Sequence, residues 1–367
     1  MARTLIIFLL LVACGGLLAA EEAKPSVAPS SAAPLKPLSA KAAEVVDQEL
    51  ETFVQPKVKI TLLRSADLRP VSAVLLNDEL YFTNGIGNSK HCLGKHLYRE
   101  KISGRRIHRV ANVPCVIKVM SDGKDVFLLA GDENNAKVRD LYQLVNNTIV
   151  EDKRLAHNRS WYPTCIQVPA AGQGFMIIYN QCPAPEPDHL SLYATGAEVS
   201  AAWLPNLQNV IDVAYSTFYR QLFVLFGNDC FPKVAILTID NNGKVVGHSG
   251  LGTNQPLPDW LDVAPERCSI RQPRYLLSTE RGFVIADRTT FAREVKSIQY
   301  FSVAKARVYR VGVDRYKERI SGDDVGGLFI VRQGILIARP ELGRVEWYGT
   351  ENRFDKNEVL SEDLEGL

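Results

Sequence analysis

The sequence predicts an all-β body built from a repeated four-stranded unit. Between Val58 and Tyr348, short runs rich in Val, Ile, Leu, Phe and Tyr recur, and turn-forming residues separate them roughly every 8–12 residues. Pairs of these runs group at a longer spacing of about 45–60 residues. The cysteines of this region fall at two recurring positions within the unit. These patterns are typical of one β module copied along the chain.

The composition is that of an ordinary globular protein. The chain has 367 residues, of which 46% are hydrophobic and 23% charged. Its 43 basic and 41 acidic side chains give a net charge of +2. These values exclude a wholly disordered, collagen-like or polytopic membrane protein. They also exclude a strongly basic nucleic-acid binder at the level of the whole chain.

The N-terminus predicts export. Residues 1–20 contain one charged side chain, Arg3, an apolar run too short to cross a bilayer comfortably, and small residues up to Ala20. This pattern indicates a signal peptide cleaved near Ala20. A second interpretation is a bacterial lipoprotein, because residues 11–15 have the form of a lipobox in which Cys14 would be lipidated. An uncleaved anchor is the third.

Residues 21–55 are expected to form a flexible leader rich in Ala, Pro and Ser. Loosely periodic apolar residues predict a short helix over 40–54 within it. The β body is predicted over 56–349. Residues 350–367 carry an excess of acidic side chains and predict a frayed, solvated tail.

Each predicted unit begins with a hairpin of two apolar strands joined by a polar turn. These hairpins cover residues 70–85, 114–132, 163–181, 209–229, 267–288 and 326–340. All but the last are followed by a second hairpin, over residues 96–110, 140–155, 189–204, 233–249 and 296–311. Several of the tips carry turn pairs, such as Asn146-Asn147 and Asn242-Gly243, which favour tight hairpin connections.

Four-stranded units in radial repetition describe a β-propeller. At this level the sequence resembles extracellular β-propellers, although it has no WD dipeptide and no kelch double-glycine pattern in register. The hairpins predict about six four-stranded blades. Five or seven remain open, because residues 58–64 could complete a ring from the N-terminus. A pair of β-sandwiches is the competing architecture.

Cleavage of the signal would leave six of the seven cysteines in the mature chain. An even number in an exported protein favours disulfides, and the absence of a CxxC pair disfavours a zinc site. Placed on propeller blades, all six lie at strand starts or loops of one face. Chain order suggests the pairs Cys92–Cys115, Cys165–Cys182 and Cys230–Cys268, out of fifteen connectivities that six cysteines allow.

Two sequons agree with a eukaryotic secretory route. Asn146 and Asn158 each begin an Asn-X-Ser/Thr triplet, and we expect a glycan on both. The alternative is chance, since a chain of this length often contains one or two such triplets.

The sequence contains no catalytic motif of the GxSxG, HExxH or Walker type. One pattern is compatible with a metal: amide or acidic side chains end the second strand of several units, at Asn84, Asn180, Asn228 and Asp287. A ring of such oxygens suits Ca²⁺, as in propeller hydrolases of the lactonase type. The structural explanation is that Asn and Asp end strands and form turns.

The first unit carries the strongest local charge. Between Lys90 and Arg109 it has seven cations and one acid, Glu100. A patch of this kind could bind an anionic partner. The candidate residues are Lys95, Lys101, Arg105, Arg106 and Arg109. The alternative is a solvated outer hairpin with cations on both sides.

These observations predict a secreted, disulfide-stabilised β-propeller that acts as an extracellular binding or scaffold protein. Recognition is expected through loops on the thiol-bearing face, with the basic patch as a second surface. The expected partner is an extracellular protein or an acidic polysaccharide, not a nucleic acid, and we expect no cofactor and no membrane segment after signal removal. The alternatives are a divalent-cation-dependent propeller hydrolase that uses Ca²⁺, and an envelope protein anchored through a lipid on Cys14.

Overall fold

The computed structural model shows an all-β protein. It describes residues 56–85, 92–103, 106–132, 139–151, 166–172, 175–181, 189–194, 197–203, 210–216, 221–228, 231–239, 245–248, 260–262, 273–287, 298–302, 307–310, 326–354 and 360–363. Within these ranges every regular element is a strand. The predicted signal peptide, Cys14, the leader and its helix lie outside the described residues.

The strands follow one another as antiparallel meanders. Strand β1 covers Val58–Arg64. The first meander is β2 (Pro70–Leu76), β3 (Glu79–Gly85), β4 (Gly94–Lys101) and β5 (Ile107–Ala111). The second is β6 (Val116–Ser121), β7 (Val126–Gly131), β8 (Arg139–Val145) and β9 (Thr148–Glu151). The third is β10 (Ile166–Gly172), β11 (Phe175–Gln181), β12 (His189–Ala194) and β13 (Ala197–Trp203).

The remaining strands continue this pattern. The fourth meander is β14 (Val210–Ser216), β15 (Gln221–Asn228), β16 (Phe231–Ile239) and β17 (Val245–His248), and β18 (Trp260–Asp262) also pairs with β16. The fifth is β19 (Pro273–Ser278), β20 (Gly282–Asp287), β21 (Ile298–Ser302) and β22 (Arg307–Arg310). The last contains β23 (Gly327–Val331), β24 (Gly334–Arg339) and β25 (Arg344–Gly349), and β26 (Leu360–Asp363) follows it.

The N-terminal strand completes the last meander. β1 pairs antiparallel with β25, with Val58 opposite Gly349 and Arg64 opposite Arg344. β26 then pairs with the other edge of β1, so the strand order of this sheet is β23-β24-β25-β1-β26. The sheet is therefore assembled from both ends of the described chain.

The first strands of the meanders contact one another in sequence. β2 contacts β6, β6 contacts β10, β10 contacts β14, β14 contacts β19, and β19 contacts β23. β23 contacts β2, so the series returns to its start. Successive four-stranded meanders, adjacent through their first strands, define the β-propeller fold class that the repeat spacing predicted.

The hydrophobic core lies between neighbouring meanders. One cluster joins the last meander to the first and contains Trp347, Leu80 and Phe82, and another joins the fourth to the fifth around Phe223 and Phe283. Alternate side chains of a strand point to opposite faces, and here both faces of a meander pack on a neighbour. This explains why the strands have apolar residues in nearly continuous runs.

A bulge recurs at the same place in four first strands. The pairing of the first strand with the second shifts by one residue immediately before Ser72, Lys118, Asp212 and Tyr275. A bulge bends the strand and redirects the next side chain. Here the redirected side chains reach other first strands, and we call these four residues the post-bulge positions.

Side chains at the post-bulge positions bind neighbouring backbone. Val119 N donates to Ser72 Oγ at 3.0 Å, and Leu276 N donates to Asp212 Oδ2 at 2.9 Å. The two bonds are equivalent, because each donor is the residue directly after a post-bulge position. Val119 follows Lys118 of the second meander, and Leu276 follows Tyr275 of the fifth. Asp212 is 3% exposed and its Oδ1 also accepts a bond from Lys118 Nζ at 2.7 Å.

A second buried polar network lies where the fifth and last meanders meet. Arg339 Nε donates to Glu346 Oε2, and Tyr348 OH donates to the same oxygen at 2.7 Å. All three side chains are at most 2% exposed. Burial raises the pKa of Tyr348, so its hydroxyl keeps its proton and remains a donor.

The C-terminal segment differs from the expected frayed tail. Phe354 is 8% exposed and stacks edge-on against Trp347 at 5.3 Å between ring centroids. Residues 360–363 form β26 rather than solvated coil. The acid-rich composition over 350–367 concealed this pairing, because acidic side chains on an outermost strand can point to solvent while the backbone forms its ladder.

Asp212 is expected to contribute strongly to the stability of the fold. Asp212→Ala leaves the buried Leu276 N–H and the Lys118 ammonium without their acceptor, and it should cost about 2–4 kcal/mol. Ser72→Ala removes one bond to Val119 N and should cost about 1 kcal/mol. Urea unfolding of both variants measures these losses. Equal midpoints for Asp212→Ala and wild type would show that the contact does not hold the strands together.

Candidate functional site

The cations predicted to bind an anionic partner lie on the outer hairpin of the first meander. Lys95 and Lys101 are exposed near the two ends of β4, Arg106 is exposed just before β5, and Arg109 is exposed within it. His108 on β5 is exposed as well. We call these five side chains the basic edge. The remaining candidate, Arg105, lies outside the described residues.

Arg99 belongs to the same segment but has a structural role. Its Nη1 donates to Asn147 Oδ1 of the second meander at 2.8 Å and lies 3.7 Å from Glu79 Oε2. Tyr81 OH donates to the same Glu79 oxygen at 2.6 Å. Burial, with the Glu79 carboxylate, raises the pKa of Tyr81 to about 12. Arg99 therefore links two meanders and is not available as a free surface charge.

The acids near the basic edge do not neutralise it. Glu100 is 6% exposed, and Glu79 pairs with Arg99. Glu151 is exposed on β9, which lies beside β5, but it forms no ion pair with the basic edge in the part of the chain that the structure describes. The five side chains of the basic edge form no ion pair within the described residues, and they are exposed to solvent.

The register of β5 distributes its side chains over both faces. Arg109 lies opposite Tyr98 and Ile107 opposite Glu100, while His108 lies opposite Arg99. Because side chains alternate along a strand, Arg109 and Ile107 share one face and His108 occupies the other. Ile107 is 37% exposed. The edge thus combines basic side chains on both faces with one exposed aliphatic residue.

His96 adjoins the basic edge in an unusual backbone conformation. It is the extra residue of a bulge between β3 and β4, with φ at 53°. Its backbone N donates to Val113 O at 2.7 Å. Burial, followed by the positive charges of Arg109 and Lys95, lowers the pKa of His96. The imidazole therefore stays neutral at pH 7, and its buried Nδ1 has no hydrogen-bond partner among the described residues.

The candidate calcium ligands occupy strand ends, as expected from the sequence. Asn84 lies opposite Pro70, Asn180 opposite Gln167, and Asp287 opposite Pro273, at the ends of their second strands. Asn228 ends β15 opposite Phe231 of the third strand. Asn84 Oδ1 accepts a bond from Arg69 N at 2.7 Å, which is the role of a strand-ending amide. The side chains of the other three are outside what the structure describes.

Within the described ranges, no group of three or more His, Cys, Asp or Glu side chains is placed to hold a metal ion.

The ion pair between Lys118 and Asp212 was not predicted from the sequence. A signal was available, because each residue is a single charge inside an otherwise apolar first strand. Such isolated charges in buried strands are paired as a rule.

Of the predicted disulfides, the described residues contain Cys92 and Cys115. The structure joins them with Cα atoms 5.1 Å apart, and both are at most 3% exposed. The bond connects the starts of β4 and β6, beside the pair Gly94 and Val116 that links the two meanders. Closing this loop should stabilise the fold by about 3 kcal/mol. Cys165, Cys182, Cys230 and Cys268 lie outside the described residues.

Of the two predicted glycosylation sites, Asn158 is also outside the described residues. Asn146 is exposed at the tip of the β8–β9 hairpin. Asn146 and Asn147 have φ of 49° and 62°, the conformation that Asn adopts readily in a two-residue hairpin turn.

No helix in the described part of the chain is both long enough and apolar enough to span a bilayer.

The sequence matches no protein-family model and has no match among curated proteins. Its similarities are to solved structures. The WD40 β-propeller domain of Doa1 is 9% identical, with 80% of this chain and 97% of that chain covered and a TM-score of 0.44. Regucalcin from Agrobacterium tumefaciens, a calcium-binding protein, is 11% identical, with 83% and 98% covered and a TM-score of 0.48.

A putative 6-phosphogluconolactonase from Bacteroides fragilis is 10% identical, with 69% of this chain and 93% of that chain covered and a TM-score of 0.38. At such identities a likeness concerns the fold alone. The assignment of this chain to the β-propellers rests on its own meanders and on the contacts between their first strands.

His96 should make the protein less stable in mild acid. Its pKa is lower in the folded than in the unfolded chain, so the unfolded chain binds the proton more readily and stability falls as pH drops below about 6.5. His96→Asn keeps a residue that tolerates positive φ and should reduce this fall. The urea midpoint, determined at several pH values from 7.5 to 5, measures the loss of stability. The matched control is His108→Asn, and equal slopes in the two variants would contradict a role for His96.

Proposed function

We propose that this chain is an exported β-propeller that acts as an extracellular binding or scaffold protein. The observation that carries the proposal is the basic edge, whose exposed cations have no acidic partner among the described residues. A charged group without a partner on a rigid sheet is pre-positioned for a ligand of opposite charge, because the scaffold loses little entropy on binding. The loops of the thiol-bearing face remain a second proposed surface.

The anionic partner is proposed to be an extracellular protein or an acidic polysaccharide. Cations at the outer rim of a sheet increase the association rate of anionic partners more than the final affinity, and salt weakens the effect. The buried contacts of Asp212 and Arg339 keep the underlying sheets in place while the rim remains solvated. This division of roles fits a binding module.

A divalent-cation-dependent hydrolase was the alternative. The bond from Arg69 N occupies Asn84 Oδ1, and the buried carboxylate of Asp212 is compensated by Lys118 and by Leu276 N. Both groups already serve the fold. The side chains of the other candidate ligands lie outside the described residues, and sensitivity to a chelator is the measurement that separates binding from hydrolysis.

Charge reversal at the basic edge should abolish partner capture. The mature protein, immobilised and exposed to its own extracellular fluid, should retain partners that Arg106→Glu/Arg109→Glu does not. Arg64→Glu/Lys124→Glu changes the charge equally at exposed positions outside the basic edge and should retain them. Addition of a chelator should make no difference. Identical recovery by all three proteins, or loss of binding with chelator, would contradict the proposal.

Export as a free protein also has a direct test. We expect mass spectrometry of the mature protein to show an N-terminus at Glu21 and a glycan on the peptide that contains Asn146. A chain that begins at a lipidated Cys14 would contradict free secretion and support the envelope alternative.

A further inference from the structure

Strand β5 is the outermost strand of the first meander. Among the described strands β5 pairs with β4 alone, and its residues Ile107, His108 and Arg109 are exposed one after another. Consecutive exposed residues on a strand mean that both faces are open to solvent, and the edge of β5 away from β4 pairs with no other described strand. The last meander differs, because there β26 pairs along the outer edge of β1.

An open edge strand presents backbone groups to which another strand can bind. Its charges decide which strand is acceptable. A second copy of β5 would bring Arg106 and Arg109 against the same two arginines, so self-association along this edge is disfavoured. An acidic strand would instead place carboxylates beside these cations.

The alternation of the basic side chains favours an extended peptide over a polysaccharide. Arg109 and His108 lie on opposite faces of β5. A polyanion lying across one face contacts only part of the charge. A peptide that pairs along the edge sends successive side chains to both faces and can meet both. Ile107, on the Arg109 face, offers an apolar contact between the charges.

We propose that β5 binds an extended acidic segment of a partner protein by strand addition. This inference rests on the proposed binding function and specifies the partner and the mode of recognition. Main-chain hydrogen bonds along the edge would supply affinity, and the basic side chains on the two faces would select acidic side chains. The ordered neighbour β4, fixed to β6 through the Cys92–Cys115 bond, holds the edge in place.

Three probes distinguish this mode from general charge attraction. The first is a labelled ten-residue peptide in which pairs of glutamates alternate with pairs of valines, so that an extended strand carries carboxylates on both faces. The second is the same peptide with every backbone nitrogen methylated, which keeps the charge and removes the donors of both strand edges. The third is a heparin-derived decasaccharide. Fluorescence anisotropy with the full mature protein measures binding of the peptides, and competition measures the decasaccharide.

We expect the unmethylated peptide to bind and N-methylation to weaken binding at least about tenfold. Arg106→Glu/Arg109→Glu should weaken it by a similar factor, and the control Arg64→Glu/Lys124→Glu should not. Hydrogen exchange provides an independent readout, since a paired edge should protect backbone amides over 107–109. Equal binding of both peptides, preferential binding of the decasaccharide, or no peptide binding would each overturn strand addition.

The two proposals fail in different ways. If charge reversal abolishes partner capture but the unmethylated peptide does not bind, the proposed binding function is supported and strand addition is rejected. Partner capture that charge reversal does not affect rejects the role of the basic edge itself.

Discussion

Hydrogen bonds between neighbouring first strands are the constraint on which this fold depends. Each meander has two apolar faces and cannot bury them alone, so it is stable only when packed between others. Apolar packing alone does not fix the angle or the register of that contact. The bulges before Ser72 and Asp212 do so, because they aim a polar side chain at one defined N–H of another first strand. If one first strand slips along the other, the buried oxygen of Ser72 or Asp212 loses its hydrogen-bond donor. The free-energy cost of that unpaired polar atom disfavours the slipped arrangement.

The hairpins were predictable because their signals are local. Alternating apolar residues mark the strands, and pairs such as Asn146-Asn147 mark the turns. The Arg332–Gln333 turn shows where this fails: both residues have positive φ, 52° and 54°, without being typical turn formers. Their conformation is stabilised by tertiary contacts, among them the ion pair of Arg332 with Asp78 and its stacking on Phe354. The strand at 360–363 was missed for a related reason, since its partner β1 is distant in sequence.

The candidate site was predictable in its charge but not in its geometry. Charged side chains are exposed by default, so the density of cations in the first unit was informative by itself. The strand pairing then gives two arginines of this unit different surroundings. Arg99 donates a hydrogen bond to Asn147, whereas Arg109 is exposed. The conformation of His96 depends on one extra residue in a bulge, for which the sequence carries no local signal.

The position of β1 in the last sheet has a consequence for biosynthesis. Strand β1 ends at Arg64 and its partner β25 begins at Arg344, so β1 is synthesised long before β25. A nascent chain therefore carries β1 without this partner until β25 has left the ribosome. Premature termination leaves both the last sheet and the N-terminal strand incomplete, so a truncated product exposes the surfaces that quality-control chaperones and proteases recognise.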